Sequence, residues 1–273
     1  MKFSWLGCAA LTFYASTAQA QMCDALINQS ITVSTFEEIA AQLPKVAKKG
    51  EFETTEQFEA RRLAASNNVP TTPFFVGISK GEGLGQLKYD ADAGAFGVTA
   101  YVFNATYFSS KLSDAYGSPF RGQKSTWNRM VGVGLKSDSK DIGSYEATNG
   151  FGAKTLVKKQ IVSEYELFEG FRKGSYEDSN FWPSERGSSG QSIVGQIEMS
   201  AADAQNAKPH LRTAVKFVSK APFYVEAVSS GESPTRDIPY DIIYNTVALI
   251  GDMQCAVVYD DRTKTVLWAK ETY

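Results

Sequence analysis

Residues 240–269 read YDIIYNTVALIGDMQCAVVYDDRTKTVLWA. The run 242–250 is the most apolar in the chain after the first twenty residues. Tyr244, Asn245 and Thr246 interrupt it, and it has the length of a strand, well short of the roughly 20 apolar residues a membrane helix needs. Asp260-Asp261-Arg262-Thr263-Lys264 is turn chemistry between two β-branched, aromatic-rich runs, so 255–259 and 266–269 are expected to form a terminal hairpin. Three strands, at 240–250, 255–259 and 266–269, follow from this one segment.

Working back from it, the same period of two recurs at 192–199, 211–218, 223–228, 156–162 and 127–135, with Gly132 and Gly134 on the complementary face of the last. Leu87 and Tyr89 alternate, as do Phe96, Val98, Ala100 and Val102, on either side of Asp90-Ala91-Asp92-Ala93-Gly94, a hairpin turn. Residues 201–207 fit one short helix. Turns connect the strands, with no helices of 10–15 residues between them, so the spacing predicts an antiparallel sheet or sandwich.

Before residue 74 the period is helical. Ser34 with Glu37 fits a capping box ahead of Phe36, Ile39, Ala40 and Leu43, which share one face, and Pro44 closes the run. A second helix opens at Thr54 with Gln57 three residues on. Phe58, Leu63 and Ala65 supply its apolar stripe, and Glu56, Glu59, Arg61 and Arg62 its wet side. The expected class is α+β: a mainly antiparallel sheet or sandwich, 73–273, preceded by two short helices within 21–72.

Residues 1–20 read as a cleavable signal peptide. Met1 and Lys2 make a short positive start, an apolar stretch follows, and Ala18 and Ala20 stand in the A-x-A positions. The expected location is outside the cytosol, in a periplasm or secreted. Of three cysteines, Cys8 leaves with the signal, and Cys23 and Cys255 then have one possible pairing in an oxidising compartment. Such a bridge closes a very long loop, worth on the order of 4–5 kcal/mol by chain entropy.

Charge is nearly balanced, 28 Lys plus Arg against 30 Asp plus Glu, which points away from a nucleic-acid partner. The single histidine, His210, cannot supply a multi-histidine metal site. Gly81-Glu82-Gly83-Leu84-Gly85 precedes a strand where a phosphate loop needs a helix. Ser137 and Lys140 match the S-x-x-K spacing of a Ser-Lys pair but sit in turn-like company. Asp90, Asp92 and the Asp260-Asp261 pair are read as turn residues in preference to calcium ligands. Glu164, Glu166, Glu169, Glu177 and Asp178 crowd a stretch from which a carboxylate pair could be drawn.

The segment 173–191 breaks pattern: glycine, serine and proline, with Tyr176, Phe181, Trp182 and Arg186 embedded. Long unpatterned loops in compact domains tend to be functional, and aromatics in one suit recognition. These residues are the expected contact surface. The expected activity is non-catalytic binding or envelope interaction without a cofactor, the partner an envelope protein or glycan. The alternative is a secreted hydrolase using carboxylates or the Ser137–Lys140 pair.

Three phrases carry a resemblance: Phe52-Glu53-Thr54-Thr55-Glu56-Gln57-Phe58-Glu59-Ala60-Arg61, Tyr89-Asp90-Ala91-Asp92, and Asn149-Gly150-Phe151-Gly152-Ala153. As a set they resemble a group of uncharacterised exported bacterial proteins with an F-E-x-T-x-x-F-x-x-R helix, a Y-D-A-D turn and an N-x-F-G stretch. The resemblance implies a bacterial envelope origin and a shared fold, and no catalytic residue.

Overall fold

The computed structural model describes residues 22–47, 49–66, 69, 72–79, 87–99, 103, 128–148, 150–173, 193–231, 233–235 and 237–272. The chain runs β1 (Val33–Ser34), α1 (Phe36–Ala40), α2 (Thr55–Ser66), β2 (Phe74–Ile78), β3 (Lys88–Asp90), β4 (Ala95–Thr99), β5 (Asn128–Thr148), β6 (Lys154–Lys173), β7 (Ile193–Glu198), α3 (Ala201–Ala207), β8 (Leu211–Ser230), β9 (Tyr240–Asp260) and β10 (Val266–Glu271). One sheet has seven strands in the order β1-β2-β8-β9-β6-β5, with β10 also on β9; β3-β4-β7 form a second, antiparallel sheet.

The organising strand is β9. From Ile243 to Asp260 it pairs antiparallel with β8. Its other edge is divided: β6 takes the first half, running parallel, and β10 takes the last, running antiparallel. The large sheet is therefore mixed, with a second parallel pair in β1 and β2; the other described pairings are antiparallel, so the expected mainly antiparallel sheet is found in part. Parallel neighbours need a long crossover; here the return from β6 to β9 passes through β7, α3 and β8. Among the described residues no compact βαβ unit joins β6 to β9, so this parallel pair leaves no rhythm in the sequence.

Two expected pairs of strands are single long strands. In β9 the ladder pairs Phe217 with Met253 and Lys216 with Cys255, leaving Gln254 as an extra residue. One extra residue inverts the alternation. Val247, Leu249 and Met253 face the main core before it, and Ala256 and Val258 after it. In β8, Ser219 pairs with Gly251 and Tyr224 with Leu249. The bulge between them holds Pro222, which has no N–H to give a ladder, and Phe223, buried at φ 67°.

Because Cys255, Val257 and Tyr259 point away from the main core, the last part of β9 is apolar on both faces. The chain start covers the second face: Cys23 and Ile31 pack there with Ala214, Val266 and Ala269. Between the sheets the main core holds Phe96, Val98, Ile197, Val215, Phe217 and Trp268. The sheet curls until Ser79, just after β2, donates its backbone N–H to the carbonyl of Leu135 in β5, 2.8 Å away.

The first helix is capped one residue later than expected. Thr35 accepts from the Glu38 N–H at 3.3 Å, and the Glu38 carboxylate accepts from the Thr35 N–H at 2.8 Å. Ser34 is engaged in β1 beside Val76, so the cap falls on the next hydroxyl. The box at Thr54 and Gln57 forms as expected, with bonds of 2.9 and 3.1 Å. Leu63, however, is exposed, and the contact face of α2 runs through Phe58, with the Arg61 and Arg62 guanidinium groups over its ring at 5.2 and 5.7 Å. These arginines use their planar faces for packing, a role hydropathy does not score.

Candidate functional site

From Lys136 onward β5 and β6 leave the covered part of the sheet as an arm. All side chains from residue 137 to 146 are exposed. Register builds four-residue rows across the arm and its neighbours: Lys136–Tyr165–Val247–Glu226, then Asp138–Ser163–Asn245–Val228, then Lys140–Ile161–Ile243–Ser230. Two residues apart along each strand, these rows share one face.

Where the core gives way to this face, α1 seats an aromatic cluster. The Phe36 ring meets Tyr165 edge-on at 5.0 Å and Tyr224 at 6.3 Å. Lys136 places its ammonium 4.2 Å from the Tyr165 ring centre and pairs with Glu37 at 2.5 Å and Asp138 at 3.3 Å. Lys45 lies over Tyr224 at 5.2 Å. The Tyr224 hydroxyl donates to Glu226 at 2.6 Å, and burial, then that bond, holds its proton well above the usual tyrosine range. The Glu37 partner, outweighing burial, raises Lys136. Both groups therefore keep their protons at neutral pH. The cluster offers donors, cations and ring faces, the equipment of recognition. Sequence periodicity had no access to it, since Phe36, Lys136, Tyr165 and Tyr224 meet only through register.

The expected site residues fare differently. Tyr176, Phe181, Trp182 and Arg186 lie outside the described residues, as do Glu177, Asp178 and the glycines at 81, 83 and 85. Cys23 and Cys255 are joined in a disulfide with Cα atoms 5.7 Å apart. The expected turn at Ser137–Lys140 is instead regular β5, where Ser137 pairs with Glu164 and Lys140 with Ile161. Three positions apart in a strand, the two side chains point to opposite faces, so the fold does not bring them together. Glu164 and Glu166 do share a face of β6, Glu164 in register with Thr246 and Glu166, which is buried, in register with Ala248.

Asp90 and Asp260 both serve turns. The Asp90 carboxylate accepts from the N–H groups of Asp92 and Ala93 at 2.9 and 3.1 Å. Asp260 accepts from the Arg262 N–H at 2.9 Å and its guanidinium at 2.6 Å, which lowers its pKa. The His210 carbonyl accepts from the Asp261 N–H at 2.9 Å. Among the described residues no three His, Cys, Asp or Glu side chains are grouped to hold a metal, and no helix is long and apolar enough to cross a membrane. Comparison with family models, curated proteins and solved structures finds no match.

Proposed function

We propose that this is an exported, non-catalytic binding protein of the bacterial envelope, whose recognition surface combines the sheet arm with the residues Tyr176, Phe181, Trp182 and Arg186. The observation that carries this reading is where apolar surface is left uncovered. Seven of the eleven exposed large hydrophobic side chains among the described residues belong to the arm and its neighbours. They are Ile142, Tyr145, Phe151 and Leu156 on or between β5 and β6, and Val228, Ile238 and Ile243 on or beside β8 and β9. Apolar surface gathered on one part of a molecule, rimmed by charge, marks a place of interaction, whereas scattered single residues do not. The aromatic cluster of Tyr165 and Tyr224 borders the face that carries Val228 and Ile243, while Leu156 has the other face of β6.

The test is photo-crosslinking in the native host, with one probe at Ile243 and one at Trp182. Capture of the same envelope protein or glycan from both positions supports the reading. Background labelling from both, in correctly exported protein, sinks it.

One observation favours a second reading, a secreted hydrolase using carboxylates. Glu164 and Glu166 stand on one face of β6, one part-exposed and one buried. Different environments can divide two carboxylates into acid and base roles. Glycan hydrolysis that survives in E164Q and E166Q would remove this reading.

A further inference from the structure

We infer that the tip of the β5–β6 hairpin docks on an anionic lipid surface, with Phe151 as its apolar anchor. This names a partner for the arm and rests on the binding reading above. Phe151 is 99% exposed and Leu156 is 60% exposed, so burial within the fold accounts for neither. Phe151 stands in the turn between β5 and β6, flanked by Gly150 and by Gly152 at φ +82°. Beyond the adjoining residues, nothing stands within 4 Å of where a Cβ on either glycine would be, so the turn is open on both sides of Phe151.

Behind the anchor the charge changes sign relative to the rest of the chain. Residues 143–159 hold Lys154, Lys158 and Lys159 against Glu146, and with Asp241 of β9 in register beside Lys159 the region carries a formal +1 in a protein of −2. Lys154 pairs with Glu146 at 2.7 Å, and Lys159 lies 5.2 Å from the Tyr145 ring centre. Lys154, Leu156 and Lys158 alternate along β6, so they share a face, with the apolar residue between two cations.

The order of these groups by depth selects lipid. Phe151 leads and Lys154 opens β6 just behind it. Lys158 and Lys159 follow at about 3.3 Å of rise per residue, roughly 13–17 Å further back. With the ring at the edge of the hydrocarbon, Lys154 falls in the headgroup layer, which is about 5–8 Å thick on each side. The other two lysines lie between about one and two Debye lengths from its phosphates at physiological salt, where that length is about 8 Å, and well within one at low salt, where it is about 30 Å. An aromatic tip with cations stepped behind it suits an apolar layer beneath a negative one.

The experiment is co-sedimentation of the exported protein with phosphatidylglycerol/phosphatidylcholine vesicles and with phosphatidylcholine alone, at low and physiological salt. Wild type is expected to sediment with the anionic vesicles and to be released by salt. Phe151→Ser should weaken this by on the order of tenfold or more, and Lys158→Gln by up to about fivefold at low salt, with a smaller effect at physiological salt. Unchanged melting temperatures would show that both variants are folded. Failure of the wild type to sediment with anionic vesicles, or equal binding by F151S, overturns the proposal. A probe at position 151 that captures an envelope protein, in the absence of vesicle binding, also overturns it in favour of a protein partner. Vesicle binding lost while the Ile243 and Trp182 probes still capture their species refutes the lipid contact alone; loss of both refutes the binding reading as well.

Discussion

Gly251 of β9 lies against Phe217 of β8 so closely that a Cβ on it would stand 2.4 Å from the Phe217 ring and 2.6 Å from the Val218 carbonyl oxygen. The first neighbour is a fully buried ring and the second is backbone, so neither can give way cheaply. This contact sits where β9 exchanges its β6 neighbour for β10, beside the bulges of both β8 and β9. Gly251→Ala is expected to cost about 1–3 kcal/mol through overpacking. Urea or thermal unfolding measures it. A variant as stable as wild type would show that the two long strands do not need this close approach.

The Cys23–Cys255 disulfide fastens the chain start over the outer face of β9, across 232 residues of sequence. Removing it with the double substitution Cys23→Ala/Cys255→Ala should cost on the order of 5 kcal/mol. Reductant should lower the melting temperature of wild type toward that of the double variant and leave the variant unmoved. Equal wild-type melting with and without reductant would contradict a stabilising bridge.

Lys216 pairs in register with Cys255 and is 9% exposed, its ammonium 3.8 Å from the Met22 sulfur. Burial lowers its pKa from the ordinary 10.5. A lysine whose folded pKa is depressed opposes folding while both states are charged. Stability therefore rises with pH from the folded pKa until the unfolded one, about 10.4, is passed. Lys216→Met, which keeps the volume and removes the charge, should melt higher at neutral pH, and its advantage should narrow as pH approaches 10. A gain independent of pH would assign the effect to packing alone.

Glu53 has the opposite sign. Its bond to Arg61, at 2.8 Å, and the Gly50 N–H hold its pKa at about 2, below the ordinary 4.5. A carboxylate with a depressed folded pKa contributes stability that is complete above the unfolded value and is lost as pH falls through the folded one. The start of α2 should loosen between about pH 4.5 and pH 2. In Glu53→Gln that acid step should vanish from amide exchange in 50–61. Persistence of the step in the variant would assign it to another carboxylate.

The predicted contact surface at Tyr176, Phe181, Trp182 and Arg186 remains a proposal, whereas the Ser137–Lys140 spacing is resolved by geometry. S-x-x-K brings its members together on a helix, where residues three apart are neighbours, but strand β5 sends them to opposite faces. The misplaced cap of α1 has a similar cause: Ser34 fits the box as well as Thr35 does until β1 claims its backbone.

Local chemistry, legible in the sequence, determined the β-rich character, the Asp90–Gly94 and Asp260–Lys264 turns, the Thr54 cap, helix α3 and the one available cysteine pairing. Each depends on residues within a few positions of one another, or on counting. Tertiary structure alone decided that β6 lies parallel to β9, that bulges at Gln254 and Pro222 join expected pairs of strands into single ones, and that Phe36, Tyr165 and Tyr224 meet. The physical reason is that strand pairing is set by packing between segments far apart in the chain. A period of two records which residues alternate, but not which neighbour they pair with or where an extra residue inverts the faces.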